Sequence, residues 1–236
     1  MLSVIIPTRE ERDNIEPILR RLSAVRSALD EPMEVLVVDH GSQDGTAACA
    51  ADVLSREGLD GQVIADDGPR DLIRAVLVGA RAARGERIAV MDADLSHPPE
   101  LLPQLLQAVR AGSRVAVASR YVAGGGVEDW PPARRMLSHA GRWLARPLVP
   151  VHDATSGYFV CEAPLLRSLA AGRGGFKILL ELLVRQNVRS IREVPYVFKD
   201  RQRGTSKLSR RVMWLYMGQL GRLYGHRLGA GAASDG

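Results

Sequence analysis

A chain of 236 residues, 46% apolar and 25% charged, is long and apolar enough to bury one large core, which excludes a disordered or fibrous polymer. No stretch approaches the roughly 20 apolar residues that a spanning helix needs, and the brief run Leu2–Ile6 ahead of Arg9, Glu10, Glu11 and Arg12 predicts no secretory leader. A net charge of +5 points to phosphate-rich partners, and two cysteines without metal-ligand spacing, Cys49 and Cys161, fit reduced thiols in a cytosolic protein.

Short β-branched runs alternate with helical patterns through the first half. Ser3–Ile6, Glu34–Val38, Gln62–Ala65, Arg87–Met91 and Arg114–Ala118 read as buried strands, and Asn14–Leu29, Thr46–Arg56, Asp71–Arg84 and Pro99–Ala111 as the helices between them. This order predicts an α/β fold: a mostly parallel sheet with helices on both faces. Right-handed crossovers then gather the strand C-termini on one edge, where ligands bind. The polar motifs fall at those ends: Pro7-Thr8, Asp39, Asp92 and Ser119-Arg120. Farther on, Ala133–Arg146 reads as a basic helix, Thr155–Cys161 and Ile191–Phe198 as strands, and Ile178–Gln186 as a helix.

Segment 209–228 places Met213, Tyr216, Met217, Leu220, Leu223 and Tyr224 on one helical stripe bordered by arginines. Such a helix either lies in a membrane interface or packs on the domain. The expected organisation is a domain over 1–208, this helix, and a disordered small-residue tail over 229–236.

The chemistry begins at Asp92-Ala93-Asp94, directly after the apolar run Ile88–Met91. In extended backbone, residues two apart share a side, so the carboxylates can converge on a hard divalent cation, Mg²⁺ or Mn²⁺, holding a diphosphate. The alternative is a strand end followed by a turn. Two basic clusters add anion affinity: Arg134, Arg135, Arg142 and Arg146, then Arg201, Arg203, Lys207, Arg210 and Arg211. They lack interleaved stacking aromatics, and an acidic strand edge repels a polynucleotide backbone, so no nucleic-acid partner is expected.

Val4-Ile5-Ile6-Pro7-Thr8, Glu11-Arg12-Asp13-Asn14-Ile15, Val37-Val38-Asp39 and Gly41 to Thr46 resemble the opening of family 2 glycosyltransferases, with the Asp92–Asp94 block where their metal motif belongs. Ser119-Arg120-Tyr121, Trp130 with Arg134-Arg135, Asp153 to Tyr158, Gly175 to Glu181 and Arg203 to Leu208 resemble the dolichyl-phosphate (polyprenyl-phosphate) mannose synthases of that family. The resemblance spans about residues 2–220. It implies a GT-A fold and inverting transfer from a nucleotide-sugar donor, usually GDP-mannose, to a polyprenyl monophosphate at the cytosolic membrane face. By match, Pro7, Thr8, Glu11 and Asp39 line the nucleotide pocket, with Arg201 and Lys207 closing on the donor. Asp92 and Asp94 hold the metal, with Ser96 as a third contact. Arg120, Arg134 and Ser138 meet the acceptor phosphate. Peripheral membrane contact would run through 209–228, with room for a separate membrane-protein partner.

The sequence departs from the family pattern at Arg9 and Glu10 (usually Tyr-Asn), at His40 (usually acidic) and at Asp71 (usually Gly). All lie on the nucleotide side, so a different donor and a non-catalytic nucleotide-sugar-binding subunit stand as alternatives, and a soluble acceptor stands as another because no spanning segment is expected. His40 reads as a surface or hydrogen-bonding residue before a metal ligand, and Asp153 as a structural or acceptor-side residue before a base.

Overall fold

The structure, a computed structural model, describes residues 1–69, 71–128, 130–170, 177–199 and 210–232. Its strands are β1 (Leu2–Thr8), β2 (Met33–Asp39), β3 (Asp60–Ala65), β4 (Arg87–Val90), β5 (Val115–Ser119), β6 (Gly126–Val127), β7 (Phe159–Glu162), β8 (Ile191–Pro195) and β9 (Val197–Phe198). Its helices are α1 (Arg12–Val25), α2 (Thr46–Arg56), α3 (Leu72–Ala82), α4 (Leu102–Arg110), α5 (Pro132–Ala145), α6 (Ala163–Arg167), α7 (Ile178–Arg185) and α8 (Arg210–Ala232).

Seven strands form one sheet in the order β3-β2-β1-β4-β7-β5-β8. All neighbours run parallel except β7, which is antiparallel to both β4 and β5. Register follows the two-residue side-chain period. Val4 and Ile6, Val35 and Val37, and Ala116 and Ala118 face one core with α1, α2 and α4, while Ile5, Leu36, Val38, Val115 and Val117 face the other with α3, α6, α7 and α8. Helix α3 lies so close to the sheet that a Cβ on Gly79 would come within 2.7 Å of Ile5 Cγ2.

Strand β3 corrects the expectation of a buried strand: Gln62 and Ala65 are exposed, because β3 is an edge with β2 as its sole neighbour. The strand expected over Thr155–Cys161 starts only at Phe159, since Ser156 bonds locally, its Oγ accepting from the Tyr158 amide at 3.2 Å. The strand expected over Ile191–Phe198 divides at Tyr196, whose amide donates to the Ser119 carbonyl, and the last two residues pair with β6 in a separate ribbon. The helix expected to reach Leu29 ends at Val25 and continues as a single 3₁₀ turn, Arg26–Ala28.

The stripe on α8 splits. Tyr216, Leu220 and Leu223 are buried against the domain, and the Tyr216 and Tyr224 hydroxyls donate to the Gly141 and Leu144 carbonyls of α5 at 2.7 Å each. Met213 and Met217 are partly exposed, and Trp214 is 78% exposed. The helix extends to Ala232, four residues beyond the expected boundary, and 233–236 lie outside the described residues. Among the described residues no helix is long and apolar enough to cross a membrane.

Candidate active site

At the C-terminal edge of β4 and β5 the fold opens into a cavity of about 310 Å³. Its polar lining includes Asp92, Asp94, Arg120, Arg134 and Lys177. Its apolar lining includes Leu137 and Leu144 of α5 and Met213 and Met217 of α8.

Strand β4 stops at Val90, so both aspartates lie in the loop that follows it. Asp94 folds into a turn: its Oδ1 accepts from the Ser96 amide at 3.2 Å and from the Ser96 hydroxyl at 2.5 Å. Leu95 between them sits at φ +64°, a left-handed conformation that a branched side chain adopts only under surrounding constraint. Asp94 is buried, whereas the Asp92 side chain is 40% exposed toward the cavity. His97, also buried, stacks on Tyr158 with centroids 5.2 Å apart, and its Nδ1 accepts the Asp92 amide proton at 2.9 Å. Burial lowers the His97 pKa against the opposing charges of Asp92 and Asp94, so the ring is neutral with its proton on Nε2. Hence Nδ1 is committed to the loop and His97 serves as its brace.

These donors suit a hard cation. The set is two carboxylates and one hydroxyl, with no cluster of three His, Cys, Asp or Glu among the described residues. That leaves several positions of a Mg²⁺ or Mn²⁺ octahedron for water and substrate oxygens.

Gly157 closes the other side of Asp92. A Cβ there would lie 3.1 Å from both Asp92 Oδ2 and His97 Cε1. Gly157→Ala should therefore displace the Asp92 carboxylate by a few tenths of an ångström and reduce turnover by about tenfold with little loss of melting temperature. Steady-state kinetics beside a melting curve checks this, and wild-type turnover would show that Asp92 has slack.

The cation wall is built on Asp153. Arg120 Nε and Nη2 each donate to its carboxylate at 2.7 Å, and the Arg120 amide adds a third bond at 3.1 Å. Arg120 is nearly buried and Asp153 fully so. Burial alone would raise the Asp153 carboxyl, but the hydrogen bonds and charge of Arg120 outweigh it and hold it below the usual carboxylate range. A carboxylate so engaged, with both oxygens held by Arg120, is poorly placed to take a proton from a substrate. The Trp130 ring centroid lies 5.6 Å from the Arg120 guanidinium carbon and 4.3 Å from that of Arg134. Its buried Nε1 has no hydrogen-bond acceptor among the described residues. Ser138, also in the lining, bonds through its Oγ to the Tyr121 hydroxyl at 2.6 Å. Burial, then the charge of Arg120, push the Lys177 ammonium down to about 8.

The family profile described as Glycosyl transferase family 2 matches residues 3–169. The chain belongs to glycosyltransferase family 2. Among curated proteins it is 37% identical to the dolichol-phosphate mannosyltransferase of Pyrococcus furiosus, with 94% of this chain aligned to 63% of that protein's length, so it spans less than two thirds of that relative. It is 37% identical to the Saccharomyces cerevisiae dolichol-phosphate mannosyltransferase over 97% of this chain and 88% of that protein. With the polyprenol monophosphomannose synthase of Mycolicibacterium smegmatis the identity is 38%, covering 87% of this chain and 80% of the relative. In fold it matches the glucosyl-3-phosphoglycerate synthase of Mycobacterium tuberculosis solved with Mn²⁺, UDP-glucose and phosphoglyceric acid, at a TM-score of 0.67 and 21% identity, over 94% of this chain and 80% of that one. The fold is thus GT-A.

Of the residues singled out in the sequence, the cavity brings together Asp92, Asp94, Ser96, Arg120, Arg134 and Ser138. Pro7, Thr8, Glu11 and Asp39 stand apart from its lining, at and just beyond the ends of β1 and β2. There the Asp39 carboxylate accepts from the Ser42 hydroxyl at 2.6 Å, the Ser42 amide at 3.1 Å and the Thr8 hydroxyl at 3.3 Å. Arg201 and Lys207 lie outside the described residues. Two of the unusual residues have local partners. His40 Nδ1 is 3.2 Å from Asp66 Oδ2, and Asp71 caps α3 by accepting from the Ile73 amide at 2.9 Å. Sequence reasoning gave no role to Lys177 or His97. The signal for Lys177 was its place in the Gly175–Glu181 motif; for His97 it was a lone imidazole five residues beyond the first aspartate.

Proposed function

We propose that the chain transfers mannose from GDP-mannose to a polyprenyl monophosphate, with inversion and with Mg²⁺ or Mn²⁺ bound at Asp92 and Asp94. The observation that carries this reading is the cavity lining, whose cationic side chains suit a phosphate and whose apolar side chains on α5 and α8 suit a lipid tail. The names of the three relatives above support it, as does the Mn²⁺ and UDP-glucose held by the mycobacterial synthase of like fold.

The attacking group is an oxygen of the acceptor phosphate. A phosphate monoester is already largely ionised at neutral pH, its second pKa being about 6, so no strong base has to generate the nucleophile. What the protein must do is bring two anions together. Arg120, fixed by Asp153, and Arg134, beside Trp130, would hold the acceptor phosphate, with Ser138 adding a hydroxyl. Attack at the sugar's anomeric carbon releases GDP. A divalent ion at Asp92 and Asp94 would offset the charge growing on that diphosphate. Pro7, Thr8, Glu11 and Asp39 would hold the nucleoside, and Arg201 and Lys207 its phosphates.

The exposed surface supports peripheral membrane contact. Met136, Trp143, Met213, Trp214, Leu215, Met217 and Leu228, all large exposed apolar residues, lie on α5 and α8. Aromatic and aliphatic side chains beside arginines suit a peripheral lipid interface at the cytosolic face, and the contact extends beyond 209–228 to α5.

The test is incubation with GDP-mannose, Mn²⁺ and a polyprenyl phosphate in detergent, alongside titration of GDP and UDP. Mannosyl lipid and metal-dependent GDP binding are the expected results; transfer to soluble phosphates alone would overturn the lipid acceptor. Met217→Ser should raise the KM for the long-chain acceptor about three- to tenfold by removing one apolar contact, with less effect on a short-chain one. Equal effects on both would place the tail elsewhere.

A further inference from the structure

Lys177 lines the same cavity as Asp92, Arg120 and Arg134, yet the transfer chemistry above gives it no task. Its position runs against local preference. It is the N-cap of α7, where Ser, Thr, Asp or Asn normally offers an acceptor to the first amides, and no side-chain hydrogen bond caps this helix. A lysine there sets its charge against the positive end of the helix dipole. Burial and Arg120 also disfavour the ammonium, with Asp92 and Asp153 opposing them. Local rules broken together at one position are expected where a residue is kept for a ligand.

The mount is equally specific. Gln219, fully buried on α8, accepts from the Lys177 amide through Oε1 at 3.0 Å. Its Nε2 donates to the Lys177 carbonyl at 3.0 Å and to the buried Glu181 carboxylate at 2.8 Å. The helix that supplies Met213 and Met217 to the cavity lining therefore also fixes the backbone of Lys177 in the same lining. Trp130, in the same wall, holds a buried N–H with no acceptor among the described residues, as a site built for an oxyanion would.

We propose that Lys177 binds the acceptor phosphate beside Arg120, and that Gln219 is the positioning residue that holds it there from α8. The inference rests on the phosphate-acceptor reading above, and its test separates the two.

Farnesyl phosphate, a soluble prenyl monophosphate, is titrated calorimetrically into the protein with GDP and Mn²⁺ present. Lys177→Met preserves the length and apolar volume of the side chain. It should weaken farnesyl phosphate binding roughly tenfold or more, the worth of one charge-assisted hydrogen bond, while Mn²⁺-dependent GDP affinity stays within about twofold. Lys177→Arg should recover part of the loss. Gln219→Met leaves the lysine but frees its backbone, and should raise the KM for polyprenyl phosphate more than it lowers kcat, with folding confirmed by melting. Unchanged farnesyl phosphate affinity in folded Lys177→Met overturns the proposal and leaves the transfer reading intact. Lysine-dependent binding by a parent chain that forms no mannosyl lipid supports the proposal and overturns mannosyl transfer. No binding by the parent overturns both.

Discussion

Asp94→Asn should fold as well as the parent chain and turn over GDP-mannose at least about a thousandfold more slowly. The two halves of that expectation come from different atoms. Asp94 Oδ1 closes the turn by accepting from the Ser96 amide and hydroxyl, and an asparagine carbonyl oxygen can accept both bonds. The strained Leu95 backbone therefore stays braced, and the melting temperature should move by no more than a few degrees. What is lost is one full negative charge of a two-carboxylate site, and with it, on the proposed function, the ion that would offset charge on the leaving diphosphate. Removing an electrostatic stabiliser of developing charge costs about 3–4 kcal/mol in comparable sites, which is roughly two to three powers of ten in rate. Loss of the cation altogether would exceed that. Asp94→Ala, by contrast, removes both the charge and the turn, so it should lose stability as well as activity. Steady-state rates at several Mn²⁺ concentrations, with a melting curve for each variant, separate the effects. Turnover by Asp94→Asn at near wild-type rate, with unchanged Mn²⁺ dependence, would remove Asp94 from the metal site.

The contrast between those variants also shows what the sequence could carry. Strand–helix alternation made the sheet and its ligand-binding edge legible, because Val, Ile and Leu at a period of two and the helical stripes between them are local signals. The reversed strand β7 was not legible. Its direction depends on how the chain returns from α5 through the Asp153–Gly157 loop, which is a tertiary matter. The aspartate pair was legible as chemistry, and of the two backbone geometries its spacing allowed, the turn at Asp94 with a left-handed Leu95 is the one that forms. The acceptor side was legible only as motifs. Nothing in the spacing of Arg120 and Asp153 says that they form a bidentate pair, since 32 residues and a whole helix intervene. The same holds for Gln219, a polar residue within an apolar stripe, whose partners Lys177 and Glu181 are supplied by α7.

The Arg120–Asp153 pair carries the second large effect. Asp153→Ala strands a guanidinium that is nearly buried, and breaking a buried pair from one side costs about 3–5 kcal/mol. For a chain of this size each kcal/mol is worth about 2–4 °C, so the melting temperature should fall by roughly 6–20 °C. The sign of the pH dependence follows from the same pair. The Asp153 carboxyl is held below its unfolded value, so its contribution is fully present above that value and is lost as pH falls through the depressed folded one. The parent chain should therefore keep this part of its stability down to about pH 4 and lose it only in stronger acid, whereas Asp153→Ala lacks it at every pH. A double variant, Arg120→Met with Asp153→Leu, distinguishes structure from chemistry. Replacing both partners by apolar side chains of similar volume should restore most of the stability, because no buried charge is then left uncompensated. It should not restore transfer, because the acceptor phosphate would still lack the arginine that Asp153 orients. A melting temperature for Asp153→Ala equal to that of the parent would mean that Arg120 finds water or another acid when its partner is gone. Recovery of both stability and transfer in the double variant would leave the pair with a structural role alone, and the acceptor phosphate would then have to be held without Arg120.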